Sequence, residues 1–248
     1  MNRYLSRKDI PIQERLIMAL DVPDRASAEA LVNQLGETVR FYKIGLELFM
    51  AGSYFELIEW LRGQGKRVFC DLKFFDVPET VARAVRQLKN RGVDFATVHG
   101  NDTMLAAAAK EKNGLKILAV TVLTSLDRSD LEMLGFQCDV AELVLARARK
   151  ALLLGCDGVI SSGLEAAQLR ENLGEQLLIV APGIRPVDNE RVADDQKRVV
   201  DVAQAFHNGA DYIVVGRPIR DAPDPRAAAA AIQATIAGLF ATPRDATI

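Results

Sequence analysis

The sequence predicts a single (β/α)8 barrel, and three observations carry the prediction. Eight short apolar segments alternate with segments of helical period, the apolar segments are nearly unbroken by polar residues, and 248 residues is the usual length for one barrel. A strand that is apolar without alternation is buried on both faces, as in a parallel sheet closed inside a ring of helices.

Residues 1–13 are polar and aperiodic, so they are expected to form an extension lying over the surface or disordered, with the barrel running from 14 to 248. The first predicted strand, 16–20, ends at Asp21 and is followed by a helix over 27–35. The unit then recurs as strand 41–44 with helix 54–62, strand 68–73 with helix 79–89, and strand 95–99 with helix 103–112. Strand 117–122 leads through Leu131 and Leu134 to a helix over 141–154, and strand 158–161 to a helix around 164–173. Strands 177–181 and 212–215 complete the set, with helices over 199–207 and 227–240. An open, doubly wound sheet fits less well, because Leu20-Asp21-Val22 stands where a Gly-x-Gly-x-x-Gly turn would follow the first strand. No linker or composition shift divides the chain.

Lys plus Arg number 31 against 33 Asp plus Glu, so no general electrostatic footprint for nucleic acid or an anionic membrane exists, and an anionic ligand needs a local basic site. Cys70, Cys138 and Cys156 are scattered without Cys-x-x-Cys spacing, which predicts reduced thiols and neither disulfide framework nor structural zinc. No apolar run reaches signal-peptide or membrane-spanning character, so a soluble cytoplasmic protein is expected.

The chemistry concentrates in residues 68–80, VFCDLKFFDVPET. Asp71 and Lys73 are two apart on a strand and therefore point to one side, while Leu72 points to the other. Asp76, Pro78 and Glu79 resemble a helix start. Singly, these are an ordinary ion pair and a cap; together, D-x-K-x-x-D puts opposite charges where a barrel places its active site. Asp21, Lys43, Asp71, Lys73, Thr124, Arg185 and Arg217 all fall just past strand ends, on six of the eight strands. Gly216-Arg217 after the last strand offers a backbone N–H and a guanidinium suited to phosphate, and Gln196 lies in the same loop as Arg185.

DLKFFDVPET resembles the signature of the orotidine 5'-phosphate decarboxylase family. The similarity extends to ALD at 19–21, YKIG around Lys43, TVLTS at 121–125, PGIRP at 182–186 and VGRP at 215–218, in family order over nearly the whole chain. The resemblance implies a TIM barrel that converts orotidine 5'-phosphate to UMP and carbon dioxide without metal or organic cofactor. It implies that Lys73 protonates C6, that Asp71 sits against the departing carboxylate, and that Lys43 and Asp76 complete an alternating charge array. It further implies that Asp21 with Lys43 holds ribose hydroxyls, Thr124 the base edge, and Arg185, Gln196, Gly216 and Arg217 the 5'-phosphate. Asp76 and Thr80 would enter the neighbouring subunit's site, hence a homodimer. His99 also ends a strand, but Lys73 already fills the proton-donor role; His207 is explained by its helix end.

Two other readings remain at this point. One is a magnesium-dependent sugar-phosphate decarboxylase or aldolase on the same scaffold, against which Lys43 stands as a cation where that group needs a metal-binding carboxylate. The other is a non-catalytic barrel that binds a phosphate ligand.

Overall fold

The computed structural model describes residues 4–99, 101–185 and 198–241. Its eight parallel strands are β1 (Leu16–Ala19), β2 (Phe41–Ile44), β3 (Arg67–Phe74), β4 (Phe95–His99), β5 (Lys116–Val120), β6 (Gly158–Ile160), β7 (Leu178–Ala181) and β8 (Tyr212–Val215). They pair in chain order and the sheet closes where Leu16 lies opposite Ile213, giving the TIM barrel that the apolar runs predicted.

The long helices α1 (Arg25–Leu35), α3 (Tyr54–Gly63), α4 (Pro78–Lys89), α5 (Asp102–Glu111), α7 (Val140–Leu153), α8 (Ala166–Leu173) and α11 (Pro225–Phe240) follow the predicted pattern. Three short ones, α2 (Leu46–Met50), α6 (Arg128–Met133) and α10 (Arg217–Arg220), were not expected, because four to six residues are too few for a 3.6-residue period to register. The remaining helix, α9 (Val202–His207), begins later than its apolar pattern, since the Asp201 side chain accepts the Gln204 N–H at 2.7 Å and caps it there.

Inside the sheet, Ile17, Phe41, Phe69, Phe95, Leu118, Leu178 and Tyr212 fill the barrel. The Phe95 ring meets Phe41 and Tyr212 edge to face, with centroids 5.0 and 5.2 Å away, so the floor beneath the mouth is aromatic and closed. Glycine is required at Gly158, where a Cβ would come within 2.5 Å of the Leu178 carbonyl oxygen on the neighbouring strand.

The opposite, N-terminal end carries a repeated device that the strand pattern did not disclose. Gly92-Val93-Asp94, Gly155-Cys156-Asp157 and Gly209-Ala210-Asp211 each lead into an even-numbered strand, with the glycine at φ 68°, 88° and 107° respectively. Each aspartate donates its own N–H to the preceding odd-numbered strand and accepts that strand's N–H in return. Asp94, Asp157 and Asp211 accept from Val68, Ile117 and Ile179, in each case at 2.9 Å. A cation sits on each carboxylate: Arg67 on Asp94 at 2.9 Å, Lys112 on Asp157 at 3.0 Å, and Arg170 on the fully buried Asp211 at 2.6 Å.

The described part of the N-terminal extension lies against this end. Ser6 and Lys8 both bond Asp211, at 2.5 and 3.0 Å, and Ile10 packs on the inner core. Among the described residues, no helix is long and apolar enough to cross a membrane.

Candidate active site

A cavity of about 580 Å³ opens at the C-terminal mouth, where strand ends converge and where barrels carry their reacting groups. Of the expected site residues, Asp21, Lys43, Asp71, Lys73, Thr124, Arg185, Gly216 and Arg217 line it. They arrive from the ends of β1, β2, β3, β5, β7 and β8.

The local structure of β3 sets the centre of the site. Phe69, Asp71 and Lys73 face inward while Cys70 and Leu72 pack outward, the alternation that the spacing predicted. The strand does not stop at Lys73 but runs to Phe74, which pairs with Val98 on β4 beyond a register shift between Cys70 and Phe74. Lys73 takes up the irregularity with a φ of 48°, a left-handed conformation that costs a non-glycine residue about 1–3 kcal/mol and occurs where surrounding contacts impose it. Its N–H is accepted by the Thr97 hydroxyl at 2.9 Å.

Opposite charges alternate across the mouth. The Lys43 ammonium lies 3.1 Å from Asp21 and 3.3 Å from Asp71, and the Lys73 ammonium 2.9 Å from the same Asp71 oxygen. The other Asp71 oxygen accepts from Thr97 at 2.9 Å. Burial alone would raise the pKa of Asp71, but Lys43 and Lys73 outweigh it and hold the carboxyl below its ordinary 3.8. Burial likewise works against the Lys43 charge, yet Asp71 and Asp21 carry its pKa above the ordinary 10.5.

These directions fix a pH signature. A depressed carboxyl contributes stability above its unfolded value, lost as pH falls through the folded value; a raised ammonium contributes below 10.5, lost as pH rises through its folded value. Lys43→Met should therefore lower Tm by a constant amount between about pH 5 and pH 9, with the deficit shrinking at either extreme. Thermal melts across that range check this; a deficit that varied steeply near neutrality would contradict it.

The opposite wall is cationic. Gly216 and Arg217 stand where β8 passes into α10, and Arg185 follows Gly183 after β7, its N–H bonded to the Val200 carbonyl at 2.9 Å. Arg220, one turn beyond Arg217, also lines the cavity and reaches the Asp21 carbonyl. Arg198 anchors the far end of the loop after β7. It pairs with Glu165 at 2.6 Å and donates to the Val122 and Leu123 carbonyls at 3.1 and 3.0 Å, next to Thr124.

Not every expected residue joins this set. Asp76 and Thr80 are exposed and do not line the cavity, and the Asp76 side chain accepts the adjacent Val77 N–H while Val77 is the N-cap of α4. Within one chain the alternation runs Asp21, Lys43, Asp71, Lys73, with Asp76 outside it. Gln196 lies outside the described residues. His99 is half-buried against the Phe75 ring, 5.7 Å between centroids, and is not a cavity residue. Burial first, then Arg147 and Lys73, keep its pKa below the ordinary 6.5.

Thr97, Arg198 and Arg220 were missed. Thr97 left a faint trace: it shares the inward parity of Phe95 and is the lone hydroxyl in its strand. Arg220 is spaced three from Arg217 on what proves to be a helix.

Fold and site together define a (β/α)8-barrel enzyme, with an alternating carboxylate and ammonium array facing an arginine wall suited to an anionic group. The sequence model described as "Orotidine 5'-phosphate decarboxylase / HUMPS family" matches residues 14–232. A Methylococcus capsulatus protein named orotidine 5'-phosphate decarboxylase is 65% identical over 97% of this chain and 99% of its own length. One of the same name from Stenotrophomonas maltophilia is 51% identical over 96% and 99%. The crystal structure of orotidine 5'-phosphate decarboxylase from Lactobacillus acidophilus superimposes with a TM-score of 0.79 at 36% identity, covering 90% of this chain and 99% of that one. The chain belongs to the orotidine 5'-phosphate decarboxylase / HUMPS family.

Proposed function

We propose that this chain decarboxylates orotidine 5'-phosphate to UMP and carbon dioxide, the step that completes UMP synthesis. The observation that carries the reading is the Asp71 carboxylate held between two ammonium groups, Lys73 at 2.9 Å and Lys43 at 3.3 Å, at the floor of the mouth. Relatives named for this activity support it over nearly the full chain length.

In this reading the C6–carboxylate bond breaks, its electron pair stays on C6 as a vinyl carbanion, and the Lys73 ammonium delivers the proton that makes UMP. Asp71 stands beside the departing carboxylate. Two anions pressed together in a poorly hydrated site raise the ground state, with binding energy gained at the phosphate offsetting the strain. The Lys43 and Lys73 charges are already in position, so the carbanion is stabilised without reorganising solvent. Asp21 with Lys43 serves the ribose hydroxyls and Thr124 the base edge. Arg185, Gln196, Gly216 and Arg217 serve the phosphate.

The active unit in this reading is a cytoplasmic homodimer, with Asp76 and Thr80 reaching the partner's site. Their exposure off the cavity supports this, as do the exposed apolar side chains Leu46, Met50, Phe75 and Val77 on the segments after β2 and β3.

The direct test follows loss of orotidine 5'-phosphate by ultraviolet absorbance after exhaustive dialysis against a chelator. Full activity is expected, since Lys43 occupies the strand end where a metal-binding acid would stand. Loss of activity that magnesium restores would replace this reading with a sugar-phosphate one, and absence of turnover would leave a binding barrel.

Arg217→Ala should raise KM and lower kcat/KM by about 30- to 5,000-fold, equivalent to roughly 2–5 kcal/mol for a desolvated charge pair. Phosphite dianion should partly restore turnover of a substrate lacking the phosphate. A variant with parental kcat/KM would show that Arg217 does not hold that group.

A further inference from the structure

We propose that Thr97 is a positioning residue of this site, whose single hydroxyl fixes both the Asp71 carboxylate and the left-handed backbone at Lys73, so that the two charged side chains meet. The proposal rests on the reading of Asp71 and Lys73 given above and deepens it by one residue.

Thr97 lies on β4 with no exposed surface. Its oxygen is 2.9 Å from Asp71 Oδ1 and 2.9 Å from the Lys73 nitrogen. The direction of each bond is forced: an ionised carboxylate accepts only and an amide N–H donates only, so the hydroxyl hydrogen points to Asp71 and a lone pair to Lys73. The side chain is β-branched and stiff at χ1, so both partners are referred to the rigid β4 strand.

The consequences reach the reacting groups by two routes. With Oδ1 held by Thr97, the carboxylate turns Oδ2 to Lys43 and Lys73, which are 3.3 and 2.9 Å away. At Lys73, the register shift between Cys70 and Phe74 interrupts the regular β3–β4 ladder, and the Thr97 hydroxyl receives the N–H of the residue at φ 48°. Without that bond the part-buried amide loses its acceptor on β4, and the strand relaxes toward a regular path that would turn the ammonium away. The charged groups facing Asp71 are Lys43 from β2 and Lys73 on its own strand, with Asp21 acting through Lys43; His99 lies further along β4.

Valine has the shape of threonine and neither bond, so Thr97→Val isolates the hydroxyl, and Thr97→Ser returns it. Both are compared with Lys73→Ala for turnover of orotidine 5'-phosphate, UMP affinity by calorimetry, and the pH profile of kcat/KM. Thr97→Val should lower kcat roughly 10- to 100-fold, with UMP affinity within about 3-fold of the parent. The acid limb should move to higher pH, because Asp71 has lost a donor that favours its ionised form. Thr97→Ser should recover most of kcat and the parental acid limb. If Thr97→Val does not fold, Thr97→Ser against Thr97→Ala makes the same comparison. Parental kcat with an unmoved acid limb in Thr97→Val, or equal impairment in Thr97→Ser, overturns the proposal while the site stands. Parental activity in Lys73→Ala overturns the site reading and the proposal with it.

Discussion

Lys73→Ala is expected to fold, to bind UMP, and to lower kcat by at least about 10⁴-fold, combining loss of the proton donor with loss of a charge aimed at the carbanion. The chain stays foldable because the lysine lies at the mouth, its side chain one-third exposed, away from the packed interior. Asp71 keeps Lys43 and Thr97 as partners, so removing Lys73 does not strand a buried charge. Stopped-flow measurement of turnover with calorimetric titration of UMP separates the two effects. Residual kcat within 100-fold of the parent would remove Lys73 from the proton-donor role.

The second large effect is a gain. Lys73→Ala and Asp76→Ala dimers, each inactive alone, should regenerate activity when mixed. If Asp76 acts across the interface, a heterodimer holds one site with both lesions and one with neither, so the mixed species should recover about half of the parental rate. The geometry motivates the experiment: Lys73 lines the cavity, whereas Asp76, three residues on, is exposed beside the start of α4. Subunit exchange verified by native mass spectrometry without recovered activity would place Asp76 in its own subunit's site.

Legibility in the sequence followed the range of each interaction. Strand runs and the spacing of Asp71 and Lys73 depend on local periodicity, and both were readable. The Asp21–Lys43–Asp71 contacts depend on how three strands register in a closed barrel, which short-range pattern does not encode. Family resemblance placed these residues in one alternating array without giving the distances between them. Thr97 escaped notice because its value arises from an irregularity in the neighbouring strand, β3, and a register break has no signature of its own in LKFF. The Gly-x-Asp triplets were in plain view, but three residues repeated at unequal intervals carry little signal until their cross-strand partners are known.

Those triplets also bear on how this chain can change. Each hooks an even strand to the odd strand before it at the end away from the cavity, so β3–β4, β5–β6 and β7–β8 keep their fastenings whatever happens above. A nick or an insertion in a loop at the mouth would leave every one of these pairs hooked, whereas the same lesion between Gly209 and Asp211 would release a strand junction and the extension bound to it. Tolerance to sequence drift is therefore graded along the barrel axis, with the freedom to acquire new substrates at one end and the order of the sheet kept at the other.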